Sequence, residues 1–590
     1  MTDIITQHLD VWTSAQIKKS TVGRGSNGKQ TAYGIKKLRE LILELAVRGK
    51  LVPQEPNDEP ASVLLEKIAE EKARLIKEGK IKQQKPLPEI TNEEKPFDLP
   101  SGWQWARLGN IGNIFNGNSI SASVKETKYT NINKGLPFIA TKDVGYGREE
   151  LNYTNGVSIP EDEPNFRVAR KGAVLICAEG GSAGKKCGIT NQNICFGNKL
   201  FATELHGDIE SNYILANYLS PIFYEQFSKK VTGIIGGIST VNFCQLIVPF
   251  PPLAEQQRVV AKVGELMDLC DQLEQQQTDS YAAHQTLVET LLGTLFHSAD
   301  QNEFVAAWRR IADHFDTLFT TAHSIEQLKQ TILQLAVMGK LVPQEPNDEP
   351  ASILLKKIAE EKARLIKEGK IKNEKLLSEN GQAEMPFELP ESWEWVKFDN
   401  IVDITSGITK GRKLTGRKVL SIPYLRVANV QRGFLALEEI KHIDILEEEL
   451  EKFRIIERDL LITEGGDWDK VGRTAIWRGE LPLVAHQNHV FKARLLLAEQ
   501  NEIWLEMYLN SIIARDYFAG SSKQTTNLAS INKTQLRGCL VAIPPIEEQH
   551  RIVAKVDELM ALCDALKARI NQAQTTQIHL ADTIVEQAVA

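Results

Sequence analysis

The side chains best suited to gripping an anion gather in TKGRKLTGRK (409–418), which sets Lys410, Arg412, Lys413, Arg417 and Lys418 in one glycine-bearing loop. A guanidinium offers a planar fork to a phosphate or to the O6/N7 edge of guanine, whereas an ammonium acts as a point charge. Arg426, Asn429 and Arg432 follow on what reads as an adjacent strand and turn. The competing account of the loop is a solvated basic surface.

Two acidic, glycine-rich segments stand at corresponding places, EGGSAGKK (179–186) and EGGDWDK (464–470). Their glycines permit close backbone approach, and Glu179 or Glu464 has the chemistry to accept from cytosine N4. A turn in which the acid caps backbone amides explains the same residues. Lys185, Lys186, Lys470 and Arg473 are candidate phosphate contacts, and Trp468 is a candidate for stacking or for burial. Thr141 and Lys142 match the Arg426 region loosely. VTGIIGGIST (231–240) has the glycine content of a loop able to approach a ligand or merely to link.

Chemistry of other kinds is missing. GRGSNGKQ (23–30) fits GxxxxGK but has Gln30 where a P-loop needs Ser or Thr for Mg²⁺. The proline pairs FPPL (250–253) and IPPI (543–546) lack the flanking residues of an amino-methylation motif, and no S-adenosylmethionine loop or helicase pair is present. The seven cysteines form no CxxC pair; a metal site from Cys177, Cys187 and Cys195 is the less economical reading beside reduced, buried thiols. His486 and His489 in AHQNH lack a third ligand. The chain is therefore expected to have no catalytic site, metal or cofactor of its own.

These residues fall within two segments of near-neutral charge. Residues 103–250 hold 14 basic and 12 acidic side chains, and residues 393–543 hold 21 and 20, within a chain of net charge −7. Residues 253–300 carry two basic groups against eight acids, which suits a protein partner better than DNA. No apolar run approaches the ~20 residues of a membrane span, and MTDIITQHLDVW has no secretory pattern. The cytoplasm is the expected compartment.

An internal repeat organises the whole. Residues 37–82 return at 327–372 with 38 of 46 positions identical, including KLVPQEPNDEPAS and KIAEEKARLIKEGKIK. PPLAEQQRVVAKVGELMDLCDQL from Pro251 matches PPIEEQHRIVAKVDELMALCDAL from Pro544. The unlike segments between share only islands, such as LPFIATKDV (136–144) with IPYLRVANV (422–430) and GNKLFATEL (197–205) with QNHVFKARL (487–495). Identical supports with unlike inserts imply one kind of partner for the supports and different ligands for the inserts; sequence exchange confined to the repeats is the alternative.

The supports read as helices. Ile35, Leu38, Ile42 and Leu45 form one stripe, with Gly49 and Gly339 placed to end the two copies, and a second charged helix follows over 61–78. Leu253 to Phe296 has near-heptad apolar spacing and as one helix would span ~65 Å at ~1.5 Å per residue. The inserts read as mixed α/β, with buried strands at Ala173–Cys177 and Leu460–Thr463 and helices at Tyr213–Phe227 and Ile503–Phe518.

Head, long helix, head, long helix, with PPLAEQ and PPIEEQ opening the helices, resembles the specificity subunit of type I restriction–modification systems. TVGRGSNGKQTAYGIKKLRELILELAVRGKLVPQ (21–54) resembles the type IB subgroup. The resemblance implies an α+β fold: two mixed α/β target-recognition domains separated by long antiparallel coiled-coil helices, in a pseudo-twofold internal repeat. It implies that each domain reads half of a bipartite, asymmetric site in double-stranded DNA. The helices would set the spacing and dock two methyltransferase subunits and restriction subunits, which use S-adenosylmethionine, ATP and Mg. The expected division is an N-terminal extension with the first repeat (1–100), domain 1 (101–252), a central helical spacer (253–390), domain 2 (391–544) and a terminal helix (545–590). A two-headed scaffold for peptides or glycans is the rival.

Overall fold

The computed structural model describes residues 6–18, 30–132, 134–233, 236–298, 301–374, 385–412, 414, 418–466, 470–525 and 528–589. The chain forms two compact units, Met1–Ala282 with Gln572–Ala590, and Ala283–Asn571. The central spacer is thus shared between them. The physical reason lies in the first long helix, Leu253–Phe296. Its first half buries Val259, Val263, Leu266, Met267, Cys270 and Leu273 in the first unit's core. Its last turns bury Val288, Leu292 and Leu295 in the second. The second long helix, Ile546–Val589, does the reverse, burying Ile552, Val556 and Cys563 in the second unit and Ala581 in the first.

Within each unit the two long-helix segments run antiparallel on either side of a repeat helix. In the first, Arg39 of the helix Tyr33–Val47 pairs with Asp271 and Glu274 (2.5 and 2.6 Å), and Asp58 further on pairs with Arg258 (2.6 Å), so those numbers run in opposite senses. Tyr33 donates to Asp582 (2.7 Å) and Lys50 to Val589 O (3.3 Å), which run in the same sense. The second unit repeats this: Lys329 of the helix Ala322–Val337 pairs with Asp564, Asp348 with Arg551, Gln327 with Glu289, and Lys340 with Phe296 O.

The P-P-x-x-E-Q motif has a structural job in both copies. Glu255 is 1% exposed and accepts from the Trp103 indole (2.8 Å) and from Gln54 (2.6 Å). Glu548 likewise accepts from Trp393 (2.9 Å) and Gln344 (2.6 Å). Gln256 and Gln549 turn back onto the carbonyls of Pro251 (3.0 Å) and Pro544 (2.8 Å). One carboxylate therefore ties the start of a long helix to the turn after the repeat helix and to the first tryptophan of the head. Gly49 and Gly339 end the repeat helices at φ +66° and +71°, and a Cβ there would lie 3.0 Å from Trp103 or Trp393. Glycine is required by conformation and by the packed indole alike.

Each head is closed at its base by pairing its ends: Gln104–Arg107 with Ile247–Phe250, and Glu394–Lys397 with Leu540–Ile543, both antiparallel. The main sheet has the same order in both. It runs Gly112–Asn116, Leu200–Leu205, Val174–Cys177, Cys187–Ile189 in the first, and Val402–Ser406, Val490–Leu495, Leu460–Thr463, Thr474–Ile476 in the second. A second sheet follows, built on the parallel pairs Leu136–Ile139 with Ile194–Phe196 and Val419–Leu425 with Ala485–His486.

The single helices expected at Tyr213–Phe227 and Ile503–Phe518 are each two: Ser211–Leu219 and Pro221–Lys229, then Glu502–Asn510 and Ile512–Ser521. Pro221 cannot continue a helix interior. Ser220 and Ser511 restart the chain as caps, accepting from the amides of Phe223 (3.3 Å) and Ala514 (3.4 Å). All seven cysteines are free and buried, and burial pushes the Cys195 thiol up to about 11. Among the described residues no helix is long and apolar enough to cross a membrane, and no three His, Cys, Asp or Glu side chains are grouped to hold a metal ion.

Candidate nucleic-acid interface

The two heads present the same backbone with different side chains. Thr141–Asp143 and Val427–Asn429 are matching 3-10 turns, in which Asp143 accepts from the Ala140 amide (2.9 Å) and Asn429 from that of Arg426 (3.0 Å). The match between the two islands is thus closer than sequence indicates. Asn429 is 3% exposed, and its amide also donates to Ala436 O (2.8 Å) and Glu439 O (3.0 Å), so it staples the turn and has no donor left for a base. Arg426 donates to Glu439 O (2.9 Å). Lys142 is exposed at the first turn.

The glycine-rich loops lie beside these turns. Register equates Lys186 with Arg473, whose carbonyls accept from the amides of Cys177 (2.9 Å) and Thr463 (3.0 Å). Each cation reaches across to the neighbouring turn segment. Lys186 donates to Thr141 O (3.1 Å) and sits 4.9 Å over the Tyr146 ring, while Arg473 donates to the Gln431 side chain (2.6 Å). Lys185 is exposed, 5.7 Å over the Tyr224 ring. Arg432 reaches Asn510 (3.4 Å), and Lys470 is half-buried.

The two glutamates are not true counterparts. Ala178 donates to Lys199 O (2.8 Å) as Glu464 does to His489 O (2.9 Å), so Glu464 corresponds to Ala178 and Glu179 lies one residue on. Both still bind the same position of the neighbouring strand's approach: Glu179 pairs with Lys199 (3.1 Å) and Glu464 contacts His489 Nδ1 (2.5 Å). The loop 231–240 is more than a linker, since Gly237 bridges Glu179; the strand Leu528–Ser530 does the same beside Gly465–Gly466.

The basic loop of the second head lines a cleft of about 470 Å³ with Lys410, Arg412, His442 and Asp444 on its walls. Arg412 forms a two-pronged pair with Glu449 (2.8 and 2.9 Å) and holds that carboxyl below the usual range. Lys418 pairs with Glu447 (2.9 Å). Lys410 is exposed. Lys413, Arg417, Trp468 and the GxxxxGK segment before Gln30 lie outside the described residues. The two histidines of AHQNH part company: His486 is buried with Nδ1 on Val490 O (2.7 Å), and His489 faces Glu464. Sequence reasoning passed over Tyr146, Lys199, Gln431 and Phe434. Of these, Lys199 lies inside an island that the two heads share, opposite His489, whereas Tyr146, Gln431 and Phe434 lie beyond the islands' ends, where the two sequences do not align.

Two heads of one topology, unlike on their presented residues and carried on near-identical helices, define a modular, internally repeated protein. The chain belongs to the type I restriction modification DNA specificity domain family, whose family model matches residues 100–280 and 390–574. It is 43% identical to the type I restriction enzyme EcoAI specificity subunit of Escherichia coli, over 99% of both chains. It is 38% identical to the EcoEI specificity subunit of the same species, again over 99% of both. The crystal structure of the HsdS subunit from Thermoanaerobacter tengcongensis aligns with 84% of this chain and 98% of that one, at 19% identity and a TM-score of 0.39.

Proposed function

We propose that this chain is the non-catalytic DNA-reading subunit of a type I restriction–modification assembly, with each head (101–252 and 391–544) reading one half of a bipartite, asymmetric duplex site. The observation that carries this is the substitution of side chains on a fixed backbone: Lys186 against Arg473, Lys199 against His489. Equal frames with unequal donors and acceptors give unequal half-sites. The near-identical supports (1–100, 253–390 and 545–590) suit two copies of one partner, the methyltransferase subunit, with restriction subunits joining them. S-adenosylmethionine, ATP and Mg belong on those partners, and the assembly works in the cytoplasm. The type IB grouping is part of the same proposal. Family membership leaves a peptide or glycan scaffold without support.

Lys142, Lys185 and Lys186 in the first head, and Lys410, Lys418, Arg426, Arg432, Lys470 and Arg473 in the second, are the proposed backbone-gripping set. The test is duplex binding by the chain in complex with its methyltransferase subunits across a salt series. Binding should fall steeply with salt, and Lys186→Ala and Arg473→Ala should each reduce the slope by about one. Salt-insensitive binding, or none, would refute the reading.

A further inference from the structure

Among the described residues, two aromatic rings stand out for exposure: Tyr146 at 62% and Phe434 at 61%, while the next, Trp308, is at 40%. Both lie just past the matching 3-10 turns, Tyr146 three residues after Asp143 and Phe434 five after Asn429. Both are held on tight backbone. Gly147 N is fixed by Glu149 (2.7 Å) and the Tyr146 hydroxyl lies 3.4 Å from Ser182. Phe434 caps a hairpin in which Gln431 N donates to Phe434 O (3.0 Å) and Val430 bridges Leu435, with Gly433 at φ +78°. In each head the register-matched cation adjoins the ring's turn: Lys186 over Tyr146, and Arg473 on Gln431.

We propose that Tyr146 and Phe434 are aromatic wedges, one per head, that stack on or enter between base pairs of the bound duplex while Lys186 and Arg473 hold a neighbouring phosphate. This rests on the DNA reading above. A ring kept in water on a stiff turn is poorly explained by packing, and heads that differ nearly everywhere nevertheless both retain one. Apolar wedges that part base steps need a rigid mount and a nearby cation. Kinking at each half-site would also ease the extrusion of the base that a partner methylates.

The test uses the full chain with its methyltransferase subunits and the duplex found by sequencing methylated sites in cells. Tyr146→Ala should weaken binding about tenfold with the salt slope unchanged, because a stacking ring neutralises no phosphate. Tyr146→Phe should restore binding. A mismatch placed in turn at each step of the half-site should recover much of the Tyr146→Ala loss at one position, since an unpaired step costs less to open. Undiminished binding by Tyr146→Ala and Phe434→Ala overturns the wedge, as does a loss that Tyr146→Phe fails to rescue. If the unaltered complex does not bind duplex, the DNA reading falls first.

A second observation concerns how a chain with near-identical repeats pairs them correctly. Most of the apolar positions cannot discriminate, Leu41 against Thr331 being an exception: Ile35, Leu38, Ile42 and Leu45 recur as Ile325, Leu328, Ile332 and Leu335, and Leu266, Met267, Cys270 and Leu273 as Leu559, Met560, Cys563 and Leu566. The polar rim can. In the first unit the repeat helix offers Lys36 and Arg39, and Arg39 bonds the acids Asp271 and Glu274. In the second the signs are exchanged at two positions, Glu326 for Lys36 and Lys567 for Glu274, and these two pair beside Lys329 with Asp564, whereas Lys36 in the first unit pairs with Glu40 (3.5 Å). We infer that this reversal is a pairing code. A wrongly seated first repeat would set Lys36 and Arg39 against Lys567, and the second would set Glu326 against Glu274.

Lys36→Glu with Glu274→Lys gives both units one code: it gives up the Arg39–Glu274 bond, keeps Arg39 on Asp271, and sets Glu and Lys at 36 and 274 as Glu326 and Lys567 are set in the second unit. On refolding the full chain from urea, this variant should lower the recovery of monomer about fivefold, and adding Glu326→Lys with Lys567→Glu should restore it. Wild-type recovery from the two-residue variant, or no rescue by the four-residue one, overturns the code.

Discussion

Replacing Glu255 with alanine removes the acceptor for two donors at once. The Trp103 indole is 6% exposed and loses its hydrogen bond to Glu255 at 2.8 Å, whereas Gln54 is exposed and regains water. An orphaned buried donor costs about 1–3 kcal/mol, and the vacated carboxymethylene volume adds roughly 1 kcal/mol, so the loss should be about 2–4 kcal/mol. Glu548→Ala should cost the same within about 1 kcal/mol, because Trp393 and Gln344 meet Glu548 at 2.9 and 2.6 Å. Burial pushes both carboxyls above the usual range. The stability contributed by such a raised acid is full below its unfolded pKa and is lost as pH rises through the folded value. Glutamine keeps one oxygen for the indole without the charge, so Glu255→Gln should cost under about 1 kcal/mol and gain on wild type as pH rises. Hydrogen exchange of residues 33–58 and 253–260 in the first unit, and of 323–348 and 546–553 in the second, measures the loss. Alanine variants within about 0.5 kcal/mol of wild type, or a loss confined to one copy, would refute the reasoning.

Burial lowers His486 to about 3, so this imidazole is neutral in the fold and titrates near 6.5 when unfolded. Its contribution is present above 6.5 and is lost as pH falls toward 3, by about 1.4 kcal/mol per pH unit; His486→Gln should flatten that limb in urea titrations between pH 7 and 5. Arg412 is already neutralised by Glu449, so Arg412→Ala should change the salt slope of DNA binding less than Lys410→Ala does, and an equal change would contradict that pairing.

The supports were legible because their signals are local: a proline pair opening a helix, a glycine closing one, and apolar residues at helical spacing. Leu253–Phe296 came out with the bounds the sequence implies. The division of that helix between two cores was not legible, since Val288 and Leu292 look like any continuation of the stripe. In the heads, Val174–Cys177 and Leu460–Thr463 were visible as buried runs. The helix breaks were missed at Ser220 and Ser511, where a capping serine weighs little against a long aromatic run. For the interface, Lys186 and Arg473 were visible as charges, but their alignment depends on cross-strand hydrogen bonds. Asn429 shows the opposite error. Its amide looks free in sequence and is consumed by three bonds, to Arg426 N, Ala436 O and Glu439 O.

The central claim is that each head reads its own half of the site. Residues 394–543 should be exchanged as a block for those of another specificity subunit, so that the paired strands Glu394–Lys397 and Leu540–Ile543 move together. Methylated sites should then be sequenced in cells carrying the complete system. The account predicts that one half of the recognised sequence changes while the other half is retained. Change in both halves, or in neither, would contradict it.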